Sequence, residues 1–125
     1  MRSVGLLNTD RLVEEFGQLN TPEVILMDER AEHIQESHPA DWELFDRYAQ
    51  RTVEDPYLIL KDSKHKNTVC MIGKTDESNV NVIIRLAVSG EDDKEYKNSI
   101  MTFYRIRESN LKKLIEKSKT LYIRE

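Results

Sequence analysis

The sequence predicts one α+β domain in which N-terminal helices pack on a four-stranded antiparallel β-meander, with an amphipathic helix at the C-terminus. The length of 125 residues suits one domain with a single core. Apolar residues recur with a helical period of about 3.6 in the first half and with the alternation of a β-strand from residue 57 onward. No repeat, low-complexity tract or Gly/Ser linker interrupts the chain, so residues 1–125 are expected to form one domain.

Start and stop signals predict three helices and one strand in the first half. A short helix follows the polar residues at 8–10 and ends at Gly17. The apolar run at residues 24–27 is typical of a buried strand. A second helix begins with Asp28 as its N-cap and ends at Pro39, and a third begins after Asp41.

The second half predicts a meander followed by a helix. Strands are expected over residues 57–61, 68–72, 80–89 and 99–106, joined by polar turns. Residues 108–119 carry Leu111 and Leu114 at helical spacing among lysines, which predicts an amphipathic helix. We expect the helices on one face of the sheet and the other face to be open.

Composition excludes several function classes. No apolar run is long enough to span a membrane, and no signal-peptide core forms, so a cytoplasmic location is expected. The single cysteine, Cys70, allows no internal disulfide and is expected to fill the core. GxGxxG, Walker, HExxH and GxSxG motifs are absent, so no cofactor is predicted.

The net charge of −4 is spread unevenly along the chain. Residues 1–56 carry five basic and thirteen acidic side chains, or −8, and residues 57–93 carry −1. Residues 94–125 carry nine basic and four acidic side chains, or +5. This C-terminal charge is either the solvated face of a helix or a local positive surface that meets phosphates.

Two histidines, His33 and His38, lie near the end of the second predicted helix. Histidine exchanges protons near neutral pH, so the pair is a candidate base and acid for a phosphodiester. Side chains five residues apart on a helix point about 140° apart, so the rings converge only if the last turn loosens at Pro39. The alternative is a pair of surface or capping residues, and the spacing does not match a metal site. His65 is expected to be a solvated turn residue.

Polar residues on two strands are further candidates. Arg85 either clamps a phosphate from the open face or forms an ion pair across the sheet. Thr102 and Tyr104 share one face and either hold phosphate oxygens or are ordinary strand residues. Ser99 would face the other way in a regular strand, so a site that includes both Ser99 and Thr102 requires a β-bulge.

The segments DERAEHIQESHP and NSIMTFYRI, in this order around a strand meander, resemble the phage-associated branch of the barnase–EndoU–colicin–RelE nucleases. The shared pattern is His-Ile within a helix, His-Pro at its end, and Ser-x-x-Thr in a late strand, and it covers about residues 22–118. The resemblance implies N-terminal helices before a four-stranded antiparallel sheet, and metal-independent RNA cleavage. It assigns catalysis to His33, His38 and Thr102, with Ser99 and Tyr104 in support. Arg85 is added from strand geometry.

The implied reaction is transesterification by the ribose 2′-OH, giving a 2′,3′-cyclic phosphate and a 5′-hydroxyl. Two other functions stay open. One is a non-catalytic module of the same fold that binds RNA or a protein. The other is an acidic partner or immunity-type protein acting through its −8 N-terminal half. A toxin-like nuclease would meet RNA as substrate and an immunity or antitoxin protein as partner, while the oligomeric state stays open.

Overall fold

A computed structural model describes residues 1–125, and its centre is one seven-stranded mixed sheet. In chain order the strands are β1 (Arg2–Leu6), β2 (Glu23–Leu26), β3 (Leu58–Lys61), β4 (Thr68–Lys74), β5 (Asn79–Arg85), β6 (Asn98–Ile106) and β7 (Lys119–Ile123). Their spatial order is β1-β2-β6-β5-β4-β3-β7. β2 and β6 run parallel, and every other neighbouring pair is antiparallel.

Four α-helices surround this sheet. They are α1 (Val13–Phe16), α2 (Asp28–Ser37), α3 (Trp42–Glu54) and α4 (Glu108–Lys117), with 3₁₀ turns at Thr9–Arg11 and Pro39–Asp41. None of these helices is long and apolar enough to cross a membrane. The third helix begins where the sequence predicted it, after Asp41, and α4 matches the predicted amphipathic helix.

The predicted four-stranded antiparallel architecture is wrong. β3 to β6 form the expected meander, but β1 and β2 extend the sheet at one edge and β7 extends it at the other. The parallel pair joins residues far apart in sequence, with Val24 opposite Asn98 and Ile25 opposite Ser99. β5 ends at Arg85, four residues before its predicted end.

Helices cover both faces of the sheet, which corrects the expectation of one open face. On the α3 face, a core of 21 buried residues includes Phe45 of α3 and Phe103 of β6. α3 lies so close to β4 that a Cβ at Gly73 would come within 2.1 Å of the Thr52 hydroxyl oxygen. On the α4 face, a smaller cluster of six buried residues includes Leu111 of α4. Polar residues lie on the part of this face that α4 does not cover.

Asn98 holds the parallel junction together from inside the core. Its side chain is fully buried, and its Oδ1 accepts a hydrogen bond of 2.9 Å from the Ala87 N–H. Its Nδ2 donates to the carbonyls of Thr21 and Glu23 at 2.8 and 2.9 Å. One side chain therefore ties the segment before β2 and the loop after β5 to the start of β6.

Candidate functional site

A β-bulge in β6 brings Ser99 and Thr102 to the same face of the sheet. Ile83 of β5 pairs with Thr102, but the next residue, Ile84, pairs with Ile100, so Met101 is the extra residue. Paired residues share a face, so Ser99, opposite Arg85, joins Thr102 on the α4 face. The bulge also turns Ile100 into the core of the α3 face, away from Thr102. The predicted requirement for a shared site is therefore met.

His38 reaches this face by stacking on Tyr104. α2 ends at Ser37, and His38 takes a non-helical conformation (φ −136°, ψ 58°) while its N–H still donates to the Ile34 carbonyl at 2.8 Å. The imidazole and phenol rings are 5.7 Å apart at their centroids, with 28° between their planes. The Arg105 N–H donates to the Asp41 carboxylate at 3.1 Å, which fastens the segment after His38 to β6.

The Tyr104 hydroxyl is anchored in the sheet by Asn81. The Asn81 Nδ2 donates to the Tyr104 oxygen at 3.1 Å. Asn81 is fully buried and its Oδ1 has no partner, so the bond from its Nδ2 to Tyr104 offsets part of the cost of burying its amide. Burial raises the pKa of Tyr104 above its ordinary value and outweighs the hydrogen bond from Asn81, which acts to lower this pKa. Tyr104 is therefore a neutral phenol at physiological pH.

His33 lies apart from this group. Its side chain is exposed and makes no hydrogen bond, ion pair or ring contact. His38 leaves the helical conformation although its N–H still bonds to the Ile34 carbonyl, and no ring contact joins it to His33. The structure joins His38, but not His33, to Tyr104.

Arg85 shares the face of Ser99, but its guanidinium is bound to a carboxylate. Arg85 Nη2 lies 3.1 Å from Asp92 Oδ1, and the guanidinium also donates to the Leu86 carbonyl. A hydrogen bond from the Val88 N–H and the Arg85 charge together hold the pKa of Asp92 below its usual value. The expected ion pair therefore exists, but it braces the loop after β5 and does not cross the sheet. A cavity of about 430 Å³ beside Arg85 is lined by Ser99 and other residues of this end.

The turn between β3 and β4 carries a histidine–carboxylate pair that sequence reasoning missed. Asp62 Oδ2 accepts hydrogen bonds from the backbone N–H groups of Lys64 and His65, and His65 Nδ1 lies 2.9 Å from it. Burial alone would raise the pKa of Asp62, but these contacts outweigh it and lower the pKa. The His65 side chain is 75% exposed, as predicted for a turn residue. Cys70 is buried as predicted, and burial raises the pKa of its thiol to about 11.

Tyr104 also lines a positively charged groove, which we call the α4 groove. It has a volume of about 410 Å³ and is lined by Tyr104, Arg105, Ile106, Arg107, Asn110, Lys113, Leu114 and Lys117. None of its four cationic residues forms an ion pair with a carboxylate. The charge of +5 over residues 94–125 was the sequence signal for this surface, but it did not indicate that the surface adjoins Tyr104.

The family model of the phage MuF C-terminal domain matches residues 29–125. This match covers most of the chain, and the chain therefore belongs to the phage MuF C-terminal domain family. No curated protein and no solved structure matches the chain. No three side chains from His, Cys, Asp and Glu lie close enough together to hold a metal ion.

Proposed function

We propose that this phage-family domain is a metal-independent, toxin-like endoribonuclease. The observation that carries the proposal is the stack of His38 on Tyr104, on the sheet face that also carries Thr102 and Ser99, with Tyr104 in the lining of a cationic groove. The resemblance of residues 28–39 and 98–106 to phage-associated barnase–EndoU–colicin–RelE nucleases supports the same function, and a phage-associated family agrees with it.

The reaction requires one group that removes a proton and others that hold the phosphate. We assign the first role to His38, whose imidazole accepts the 2′-OH proton as the oxygen attacks phosphorus. The hydroxyls of Thr102 and Ser99 donate to the non-bridging oxygens, where negative charge increases in the transition state. The bond from phosphorus to the 5′-oxygen breaks, and the products are a 2′,3′-cyclic phosphate and a 5′-hydroxyl.

Tyr104 and Arg85 act as positioning residues in this proposal. Tyr104 holds the His38 ring in place, and its own hydroxyl is occupied by Asn81. Arg85 is occupied by Asp92 and shapes the end of the site near Ser99. The leaving 5′-oxygen takes its proton from water, because His33 is exposed and has no contact with Tyr104. The hydroxide that remains takes up the proton that His38 accepted, which returns His38 to its starting state.

A non-catalytic RNA-binding module is the second candidate, and the α4 groove favours it, because phosphate binding needs only the cations. Both candidates act on cytoplasmic RNA, and the nuclease would be restrained by an immunity or antitoxin protein. An acidic partner protein would instead bind no RNA and would recover a basic protein in pull-downs.

The test is incubation of the full chain with end-labelled total RNA and a defined tRNA set in excess EDTA. The nuclease predicts discrete cuts with 2′,3′-cyclic phosphate ends. A substrate with a single 2′-deoxy substitution at a mapped cut is the matched control and should resist cleavage at that position only. Intact RNA in every lane, from a folded protein, would overturn the proposal, and binding without cleavage would favour the second candidate.

A further inference from the structure

The α4 groove has a charge composition that differs from that of four other surface cavities of this protein. Its lining includes the cationic residues Arg107, Lys113 and Lys117 and no carboxylate. Each of four other surface cavities is lined by at least one carboxylate, among them Asp92, Asp28, Asp10 and Asp76. On a chain with a net charge of −4, such a groove is a local site for a polyanion.

The arrangement of α4 explains how the groove forms. Asn110, Lys113, Leu114 and Lys117 are spaced three and four residues apart and therefore follow one stripe of the helix. Leu111, the next position around the helix, is buried against the sheet and fixes the rotation of α4. Lys113 and Lys117 lie one helical turn, about 6 Å, apart along the axis. Arg107, at the start of α4, completes the opposite wall, whereas Arg105 borders the groove from β6 but pairs with Val80, so its side chain belongs to the α3 face.

We infer that the α4 groove binds the phosphate backbone of a single-stranded RNA and leads it to the His38–Tyr104 stack; the identity of the strand as RNA rests on the proposed function. Single strands are bound by cationic grooves bordered by aromatic side chains, and Tyr104 supplies that border here. A volume of about 410 Å³ is that of a small-ligand pocket, so the groove suits about one nucleotide of a single strand, and the rest of the strand would run over the adjoining surface.

The experiment measures binding separately from cleavage. The probe is a fluorescent 2′-O-methyl RNA 10-mer, which lacks the attacking hydroxyl and stays intact, and its anisotropy is followed at several salt concentrations. Lys113→Glu is compared with Lys112→Glu, because these neighbours on α4 undergo the same charge change and only Lys113 lines the groove. Both side chains are exposed, so the fold should be kept, and thermal melting monitored by circular dichroism checks this.

We expect Lys113→Glu to weaken binding about tenfold and to reduce the salt slope by about 0.7, the value for one lost phosphate contact on a single strand. Lys112→Glu should change the affinity less than about threefold. Equal effects of the two variants, equal binding of a duplex of the same length, or equal competition by an acidic peptide would each overturn the inference. If Lys113→Glu weakens binding but the wild type does not cleave RNA, the proposed nuclease function is wrong and the inference about the groove is supported. If Lys113→Glu changes neither cleavage nor binding, the inference about the groove is wrong and the proposed function is kept.

Discussion

The imidazole of His38 and the phenol of Tyr104 stack with their centroids 5.7 Å apart, and this contact joins the end of α2 to the centre of the sheet. Tyr104 is held in turn by Asn81, whose side chain is fully buried in β5. The His38 side chain is thus supported by the Tyr104 ring, which is itself held by the buried Asn81 side chain. Such support is what a proton-transfer group needs in order to keep one position relative to its substrate.

The hydroxyl and the ring of Tyr104 have separable contributions. Tyr104→Phe keeps the ring under His38 but removes the acceptor of the hydrogen bond from the buried Asn81 amide, so we expect a loss of about 1–3 kcal/mol of stability. Tyr104→Ala loses the stack as well, and RNA cleavage should fall with it. Urea unfolding and initial cleavage rates measure the two effects. A Phe variant that cleaves as poorly as the Ala variant would show that the ring is not the positioning element.

Asn98 should be among the most sensitive polar positions in the chain. Asn98→Ala removes three hydrogen bonds and leaves the Ala87 N–H and the Thr21 and Glu23 carbonyls without this partner. We expect a loss of about 3 kcal/mol or more, measured by urea unfolding. Asn110→Ala, at an exposed position of α4, is the matched control and should change stability by less than about 0.5 kcal/mol. A loss of similar size in both variants would argue against the role of Asn98 at the junction.

The two ion pairs of Glu15 are expected to make a pH-dependent contribution to stability. Its carboxylate binds Lys119 and Lys61, and hydrogen bonds from these two lysines lower the pKa of Glu15 below its ordinary value of 4.5. The unfolded chain therefore binds this proton more readily, so the stabilisation is present above pH 4.5 and is lost as the pH falls through the lower folded value.

The measurement is the melting temperature of Glu15→Gln and wild type across this range. The difference should be largest at neutral pH and should vanish in acid. Glu14→Gln, which removes a neighbouring carboxylate that acts on Lys119 only through its charge, should differ from the wild type much less than Glu15→Gln does. A Glu15→Gln deficit that is independent of pH would contradict the charge argument.

The segment before the family match is part of the fold. The matched region begins at residue 29, yet residues 1–28 supply β1, β2 and the fully buried Leu12 and Val24. We expect a chain that begins at residue 28 to lose cooperative unfolding, because it exposes the core of the α3 face and the edge of β6. Calorimetry and circular dichroism measure this. A truncated chain that melts cooperatively near the wild-type temperature would contradict this expectation.

Local patterns predicted the local elements well, and the reason is physical. β5 alternates Val80, Val82 and Ile84 with Asn81 and Ile83 because its two faces meet different environments, and the two clusters of the structure divide at these residues. The strand at residues 23–26 and α4 were likewise apparent from apolar spacing. Because alternate residues of an element are buried, the spacing of apolar residues along the chain reveals the element.

The missed features depend on pairing between distant segments. β1 and β7 are edge strands with several exposed residues, such as Arg2 and Lys119, and so lack the apolar signal of a buried strand. The parallel pairing of β2 with β6 joins segments more than 70 residues apart, which no local spacing records. The bulge at Met101 follows from the register against β5, so sequence reasoning stated it only as a requirement of the site.

The proposed site depends most directly on the rate of RNA cleavage by His38→Ala. Wild type, His38→Ala and His33→Ala are compared in single-turnover reactions at neutral pH in excess EDTA, after thermal melting has confirmed that all three fold. The two histidines lie five residues apart, and only His38 contacts Tyr104. The account predicts that His38→Ala slows cleavage on the order of 10²–10⁴-fold, while His33→Ala slows it less than about tenfold. Cleavage by His38→Ala at the wild-type rate would contradict the account.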